Sequence, residues 1–229
     1  WAEQAKDLRG YPLLPWVEHA TLMQTAHPDT SAIENFVRRH PQTYLAAELR
    51  HLLAKRYVEG KRWQDVLNLE LTTADIESRC RVLSARIALD ETTLVADAAK
   101  ALWLTPNSLP TACDPTIDWL RKQGQLNQDL IWQRIALTAQ KGQATFVRQL
   151  ANQLEGGQRL AAQRLADLLL DPGKQRSAVR KWPNDAAHQH AVALAVARIA
   201  RRDDELAASL WRDFSPHLSF GDDDKALML

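Results

Sequence analysis

Apolar residues recur every three to four positions along most of this chain of 229 residues. Segment 44–60, YLAAELRHLLAKRYVEG, shows the pattern clearly, with apolar residues at Leu45, Leu49, Leu52, Leu53 and Tyr57. This spacing places the apolar side chains on one face of an α-helix. No stretch of the sequence alternates convincingly with the period of a β-strand. The pattern therefore predicts an all-α protein of about a dozen helices, roughly 70% helical, about twice the ordinary fraction.

Capping residues mark where these helices begin and end. Ser, Thr, Asp and Asn accept hydrogen bonds from free N–H groups at a helix start, and Gly commonly follows a helix end. The predicted starts lie at Thr30, at Thr72 with Asp75 three residues on, at Asp114 with Pro115 in the first turn, at Asn127 and at Asn184. The predicted ends lie at Gly60, Gly124, Gly142 and Gly173.

The helices also come in similar pairs, each reading as helix, tight turn and helix. The turns lie near residues 60, 90, 142 and 203. Their spacing is irregular but falls in the range of tetratricopeptide-like hairpins. Stacked hairpins bury their apolar faces on one another and form a curved array. We therefore expect one domain over residues 1–229, an α-solenoid of stacked helical hairpins.

Composition and charge narrow the classes of function. Apolar residues make up 45% of the chain, and 29 basic residues nearly balance 28 acidic ones. A net charge of +1 lacks the basic field of a dedicated nucleic-acid binder. The longest apolar runs, 165–170 and 191–197, are far shorter than the roughly 20 residues of a membrane span, which predicts a soluble protein. Because the chain begins at Trp1 without a signal peptide and ends on KALML, we expect it to be part of something longer.

The sequence lacks the familiar motifs of catalytic and cofactor sites, so we expect no metal and no cofactor. HExxH, CxxC, GxSxG, the P-loop and GxGxxG are all missing. His188 and His190 lie two positions apart on a helix and point to different faces, which predicts two solvent-facing side chains rather than a shared metal site. The acidic clusters at 203–205 and 222–224 precede apolar helical runs, where carboxylates complement the helix dipole.

Two further features could bind a polymer. The basic run KQRSAVRK (174–181) could contact an anionic polymer, although a solvated helix face explains it as well. The chain also has eight tryptophans, which are common platforms for sugar rings. Most of them fall on apolar helix stripes and are expected to pack inside the fold.

Several local signatures, in order, resemble the N-terminal helical domain of soluble lytic murein transglycosylases, which are periplasmic enzymes that cut the glycan strands of peptidoglycan. The resemblance runs from about residue 10 to residue 215. Its most specific part is LWLTPNSLPTACD (102–114). The segments that carry it are GYPLLPWVEH (10–19), NFVRRHP (35–41), RWQDVL (62–67), ALWLTPNSLPTACDPTIDWLRKQG (101–124) and WQRIALTAQKG (132–142).

The resemblance implies a right-handed α-superhelix that carries no chemistry of its own. In this family a separate, lysozyme-like C-terminal domain holds a glutamate that acts as acid and then base, and the product is a 1,6-anhydro-N-acetylmuramic acid. We therefore expect residues 1–229 to be a fragment of the superhelical domain, with the catalytic domain outside this chain. The implied location is the periplasm. The implied partners are peptidoglycan glycan strands and the protein's own catalytic domain, with no nucleic acid and no membrane span.

Two short segments imitate the family's catalytic motifs, Glu-Ser and Gly-Leu-Met-Gln. TLMQ (21–24) has Thr in place of Gly and precedes Glu77-Ser78, which reverses the family's order. We interpret Leu22 and Met23 as core residues and Glu77 as a carboxylate on a helix surface. We expect no catalytic residue in this chain.

The two cysteines, Cys80 and Cys113, are separated by 33 residues and match no metal or redox spacing. Residue type alone favours two buried free thiols, with a disulfide as the alternative. The family is periplasmic and its members link the corresponding pair. The resemblance therefore implies a structural Cys80–Cys113 disulfide that ties the proline-containing connector to the preceding helix.

The sequence leaves the glycan-contacting residues open. If the chain guides glycan, the basic stripe beside an aromatic residue offers the candidates Arg176, Arg180, Lys181 and Trp182. A tetratricopeptide-like adaptor that grips a peptide in its concave face is the alternative function. A stand-alone enzyme with a dispersed active site has only scattered carboxylates in its favour.

Overall fold

The computed structural model describes residues 11–71 and 75–228. Throughout this part of the chain the secondary structure consists of helices, turns and loops without a β-strand, and 71% of the chain is helical. The predicted all-α class is thus confirmed. The chain forms two compact units, one built from residues up to Ala98 together with Pro110–Trp119, and the other from Ala99–Leu109 and Leu120–Leu229. The chain therefore passes between the units three times.

The first unit holds the N-terminal helices. They are α1 (Leu14–Leu22), α2 (Thr30–Arg39), α3 (Tyr44–Glu59), α4 (Trp63–Asn68) and α5 (Ile76–Ala88). The chain continues through α6 (Val95–Trp103), a 3-10 turn (Thr111–Cys113) and α7 (Asp114–Lys122). The apolar stripe seen in the sequence of α3 forms the centre of this unit's core. Its buried members are Ile33, Phe36, Leu45, Ala46, Leu49, Leu53, Tyr57, Val66 and Ala85.

The second unit holds the remaining helices. They are α8 (Gln128–Gln140), α9 (Ala144–Ala151), α10 (Gly156–Leu170), α11 (Pro172–Val179), α12 (Ala186–Ala200), α13 (Asp204–Phe214) and α14 (Asp222–Met228). Helix α12 packs against α8, α10, α13 and α14 and is the central helix of the unit. Small residues on α12 allow this close packing, because Ala191, Ala193 and Ala195 are completely buried.

Most of the predicted helix starts lie within a residue of the observed ones. Asn127 caps α8 as predicted, by accepting a hydrogen bond from the Leu130 N–H at 2.9 Å. The cap of α2 is Asp29 rather than Thr30, and that of α12 is Asp185 rather than Asn184. In both cases the carboxylate accepts backbone N–H bonds of the first turn, which an anion does better than a neutral side chain at a helix N-terminus. The predicted start at Thr72 lies outside the described residues.

The glycines behave in three different ways. Gly124 and Gly142 take positive φ values, 67° and 74°, directly after their helices, as predicted. Gly60 follows α3 at φ −83°, and its neighbour Lys61 takes the left-handed conformation instead. The prediction that a helix ends at Gly173 is wrong, because Gly173 lies in the first turn of α11, whose start is set by Asp171 and Pro172.

Candidate functional site

A disulfide joins α5 to the turn that precedes α7. Cys80 and Cys113 are both fully buried, and their Cα atoms are 4.7 Å apart. Next to the bridge, the Thr116 hydroxyl donates to the Cys80 carbonyl at 3.4 Å and lies 3.2 Å from the Ser84 hydroxyl. The bridge and this small polar cluster fix the return of the chain into the first unit. Their role is structural, because every group involved is inside the unit.

The proline-containing connector 104–109 is held in the second unit by a buried cation. The guanidinium of Arg134 stacks 4.2 Å from the ring centroid of Trp103 and donates to the Asn107 carbonyl at 2.8 Å. Arg134 is only 3% exposed, and this burial lowers the pKa of its guanidinium to about 10. The Trp103 indole N–H in turn donates to the Leu130 carbonyl at 3.2 Å. A backbone carbonyl and an aromatic face thus stabilise the buried charge.

The basic residues suggested as glycan contacts are partly engaged in ion pairs. Arg176 lies 3.0 Å from Asp213 and also donates to the Ser209 hydroxyl at 2.6 Å. Arg180 lies 3.9 Å from the other oxygen of the same carboxylate and is more exposed. Lys181 is exposed. The surface therefore offers Arg180 and Lys181 more openly than Arg176.

The aromatic residue of that candidate set lies inside the unit. Trp182 is only 9% exposed, and the Arg164 guanidinium lies 5.3 Å from its ring centroid. The Arg164 guanidinium also donates to His188 Nε2 at 2.7 Å. The indole of Trp182 is therefore buried in the second unit and does not stand on the surface beside the basic residues.

The prediction of two solvent-facing histidines is wrong for His188, which is 1% exposed. Its Nδ1 lies 2.8 Å from the Asp185 carboxylate, and its Nε2 accepts from Arg164. Both ring nitrogens of His188 thus have a polar partner inside the unit. Asp185 is the cap of the same helix, and its carboxylate also accepts from the backbone N–H of His188 at 3.0 Å. Sequence spacing alone does not reveal such a pairing.

The two motif-like segments have ordinary structural partners. Glu77 pairs with Arg81 at 2.6 Å one turn along α5, as expected for a helix-surface carboxylate. Ser78 is buried, and its hydroxyl lies 2.9 Å from His51 Nδ1. Leu22 packs against the core of the first unit, whereas Met23 is 45% exposed. The assignment of Met23 to the core is therefore wrong, because α1 has already ended at Leu22.

A groove in the second unit, here called the α8 groove, brings polar and aromatic side chains together. One wall is a single face of α8, formed by Asp129, Trp132, Gln133 and Ala136. The other walls come from Gln158 on α10 and from Ala186, Ala187 and His190 on α12, and the enclosed volume is about 390 Å³. The positions on α8 are i, i+3, i+4 and i+7, the spacing that aligns side chains along a helix.

A second depression continues the groove along α8. It encloses about 510 Å³ and shares Asp129 and Gln133 with the α8 groove. We call it the side recess. Its other lining residues are Lys100, Gly124, Gln125, Asn127 and Leu130.

His190 and Asp224 order the rim of the α8 groove. His190 Nδ1 lies 2.8 Å from Asp224, whose carboxylate is largely buried. The imidazole stands at 69° to the Trp132 indole, with 5.9 Å between the ring centroids. Sequence analysis missed this site, although the i, i+3, i+4, i+7 stripe on α8 contained the signal. The contributions of α10 and α14 were not visible in the sequence.

Two kinds of site are not found in the described parts of the chain. Among residues 11–71 and 75–228, His, Cys, Asp and Glu side chains do not gather in a group of three or more that could hold a metal ion. The described helices are also too short or too polar to span a membrane. The geometry instead defines a class of protein, an all-α scaffold of helical hairpins with an open polar and aromatic groove.

Comparison with known proteins shows which proteins of that class this chain is similar to. The chain is 26% identical over 202 residues to the soluble lytic murein transglycosylase of Salmonella typhimurium, and the match covers 87% of this chain and 31% of that protein. It is 25% identical over 202 residues to the enzyme of Escherichia coli K12, with the same coverage. No protein-family model matches the chain. The predicted resemblance to this family, in its helical N-terminal part, is confirmed.

Solved structures share the fold. The 70-kDa soluble lytic transglycosylase of Escherichia coli superposes with a TM-score of 0.78 at 23% identity, over 99% of this chain and 37% of that one. An inactive mutant of the lytic transglycosylase Slt from Pseudomonas aeruginosa gives the same TM-score and identity over 97% of this chain and 36% of that one. At this identity the likeness shows the fold, and it confirms the predicted class, an all-α superhelix of stacked hairpins. The chain spans just under a third of the length of the curated relatives.

Proposed function

We propose that this chain is the non-catalytic superhelical part of a peptidoglycan lytic transglycosylase. The parent protein would cleave the bond between N-acetylmuramic acid and N-acetylglucosamine in the periplasm and form a 1,6-anhydro product. The superhelical part would support the catalytic domain and guide glycan strands. The observation that carries the proposal is the fold, which matches 99% of this chain to only 37% of a soluble lytic transglycosylase.

The state of the carboxylates supports placing the chemistry outside this chain. General acid catalysis of glycoside cleavage needs a carboxyl group that stays protonated near neutral pH, usually because it is buried in an apolar pocket. Here Glu77 pairs with Arg81, and Glu18 lies between Arg39 and His40 at 2.6 Å from each. Burial of Glu18 works against ionisation, but these two partners outweigh it and lower its pKa. The Glu18 carboxylate is thus held in the ionised form, which cannot donate a proton, and Glu77 is paired with a basic residue on a helix surface instead of lying in an apolar pocket.

The test of this placement is incubation with purified sacculi. The chain alone should release no 1,6-anhydro-muropeptides, while a full-length soluble lytic transglycosylase assayed in parallel releases them. Reverse-phase chromatography with mass spectrometry detects the products. Release of anhydro-muropeptides by the chain alone would overturn the proposal that catalysis lies elsewhere.

The guiding role predicts that the chain binds peptidoglycan. Co-sedimentation with purified sacculi should retain the chain, whereas cellulose of similar particle size should not. A tetratricopeptide-like adaptor would give the opposite result, since it would capture a defined polypeptide and leave the sacculi unbound. That result would replace the glycan-guide function with the adaptor function.

The proposal includes the basic surface of α11 as a contact region. Arg180 and Lys181 would attract carboxylates of the peptidoglycan stem peptides, whereas Arg176 is engaged with Asp213 and Ser209 and Trp182 is buried. Because exposed charges act in water, each should contribute little by itself. Lys181→Glu should therefore reduce sacculus binding by about twofold and make it less sensitive to salt. Unchanged binding and salt dependence would reduce this patch to a solvated helix face.

A further inference from the structure

The α8 groove combines an aromatic surface with amide and carboxylate groups, a pairing suited to carbohydrate. The hydroxyl groups of a pyranose point outward in its plane, which leaves two faces covered with C–H groups. Such a face packs on an aromatic ring, while the hydroxyls need hydrogen-bonding groups nearby. The half-buried indole of Trp132 lies one residue from Gln133 and three from Asp129 on the same face of α8. We propose that the α8 groove binds the N-acetylated amino sugars of glycan strands.

The polar groups of the groove match the acetamido group of these sugars. An acetamido group carries one N–H donor and one carbonyl acceptor. The carbonyl oxygen of a glutamine side chain can accept from that N–H, and its NH₂ group can donate to that carbonyl. Gln133 is exposed on the groove wall, and Asp129 beside it can accept from sugar hydroxyls. On the opposite wall, the Gln158 amide oxygen is buried without a hydrogen-bond partner among the described residues. The groove therefore holds one amide oxygen that the described residues leave unpaired, beside the exposed amide of Gln133.

The aromatic surface is held in place before any ligand binds. His190 is fixed by its 2.8 Å contact with Asp224, and its ring stands edge-on to the Trp132 indole. These contacts restrict the rotation of the indole in the free protein. A fixed aromatic group loses less conformational entropy on binding, so more of its contact energy appears as affinity.

The shape of the site suits a chain of sugars better than a single one. The α8 groove and the side recess enclose about 390 and 510 Å³ and meet at Asp129 and Gln133. The alanines of α8 and α12 keep the floor of the groove low. A linear polymer could lie in the groove with one sugar on Trp132 and continue past Gln133 into the side recess. This site assignment rests on the proposed function, which supplies glycan strands as the polymer.

The assignment is tested by measuring binding of the whole chain to two probes. The first is tetra-N-acetylchitotetraose, a soluble oligomer of N-acetylglucosamine, followed by isothermal titration calorimetry. The second is purified sacculi, followed by co-sedimentation. Trp132→Ala should weaken binding of the oligomer about tenfold, since it removes the apolar surface beneath one sugar ring. Trp132→Phe, which keeps an aromatic surface, should stay within about threefold of the unsubstituted chain.

Gln133→Arg provides a second variant that does not touch the core. Gln133 is exposed, so a longer side chain there should obstruct the groove while circular dichroism and the melting temperature stay unchanged. Binding of the oligomer should again fall about tenfold. Trp16→Ala is the matched control, because Trp16 is 57% exposed and belongs to the first unit. It should bind as the unsubstituted chain does.

The outcomes separate the site from the proposed function. If the chain binds both probes, and Trp132→Ala and Gln133→Arg bind as tightly as it does, the α8 groove is not the site, while the glycan-guide function stands. If the chain binds neither probe, both the glycan-guide function and the assignment of the α8 groove are refuted. Selective loss of binding in the two groove variants, with Trp16→Ala unaffected, supports both.

Discussion

Loss of the Cys80–Cys113 disulfide should be the most damaging small change to the first unit. The bridge closes a loop of 33 residues and is fully buried. A cross-link of this length removes enough freedom from the unfolded chain to stabilise the fold by roughly 3–4 kcal/mol. Loss of that free energy should lower the melting temperature by roughly 10 °C if all 229 residues unfold together.

The measurement compares three samples by urea denaturation and differential scanning calorimetry. They are the oxidised chain, the same chain in a reducing buffer, and the Cys80→Ala/Cys113→Ala variant. The reduced chain keeps both sulfur atoms, so its loss of stability reports the cross-link alone. The double variant should lie about 1 kcal/mol below it, because two small cavities add to the loss. Stability that differs by less than about 1 kcal/mol between oxidised and reduced chain would refute the reasoning, as would two free thiols found by mass spectrometry in oxidatively prepared protein.

Three further predictions concern single positions. In urea denaturation, the free energy of unfolding of Arg134→Met should stay within about 1 kcal/mol of that of the unsubstituted chain, because methionine removes the buried charge but fills the space. Arg134→Ala should lose about 3 kcal/mol because it leaves a cavity. Equal losses in the two variants would contradict this reasoning. Gly142→Ala should lower the free energy of unfolding by about 1 kcal/mol, because Gly142 has a positive φ. Gly157→Ala is the control and should be neutral or stabilising, because the space around Gly157 is open. Identical melting temperatures for the two variants would contradict this argument. Burial of Asp185 opposes its ionisation, but hydrogen bonds from His188 outweigh this effect and lower the pKa of the carboxyl group. The ionised carboxylate therefore stabilises the fold at pH values above its ordinary pKa. This stability is lost as the pH falls through the pKa of the folded state. Asp185→Asn, which keeps a helix cap, should therefore show a smaller loss of melting temperature between about pH 5 and pH 2, and an unchanged acid profile would exclude this role.

Helices could be predicted from the sequence because their signals are local. The apolar period of α3 and the cap at Asn127 each depend on residues within one or two turns. The error at Asn184 arises because two capping residues, Asn184 and Asp185, stand side by side and geometry decides between them, whereas Gly173, predicted as a helix end, lies in the first turn of a helix that Asp171 caps. Asp185 and Asp171 prevail because each places a carboxylate over the first backbone N–H groups of its helix.

The candidate site could be predicted only in part, because it depends on contacts between distant segments. The polar stripe on α8 is visible in the sequence, but the contact between His190 and Asp224 is not, because these two residues are 34 positions apart along the chain. Burial is equally hard to foresee. A tryptophan next to a basic run looks like a surface platform, yet Trp182 is 9% exposed and lies beside the guanidinium of Arg164, which also pairs with His188.

The path of the chain between the two units has a consequence for biosynthesis. The first unit includes residues 110–119, which are made only after the chain has entered the second unit at residue 99. When the first 98 residues have left the ribosome, the first unit is therefore still incomplete. Cys80 cannot yet form its disulfide, because Cys113 is synthesised 33 residues later. Any separate production of the first unit must extend to at least residue 119, and one that stops at residue 98 will expose an unpaired thiol on an unfinished core.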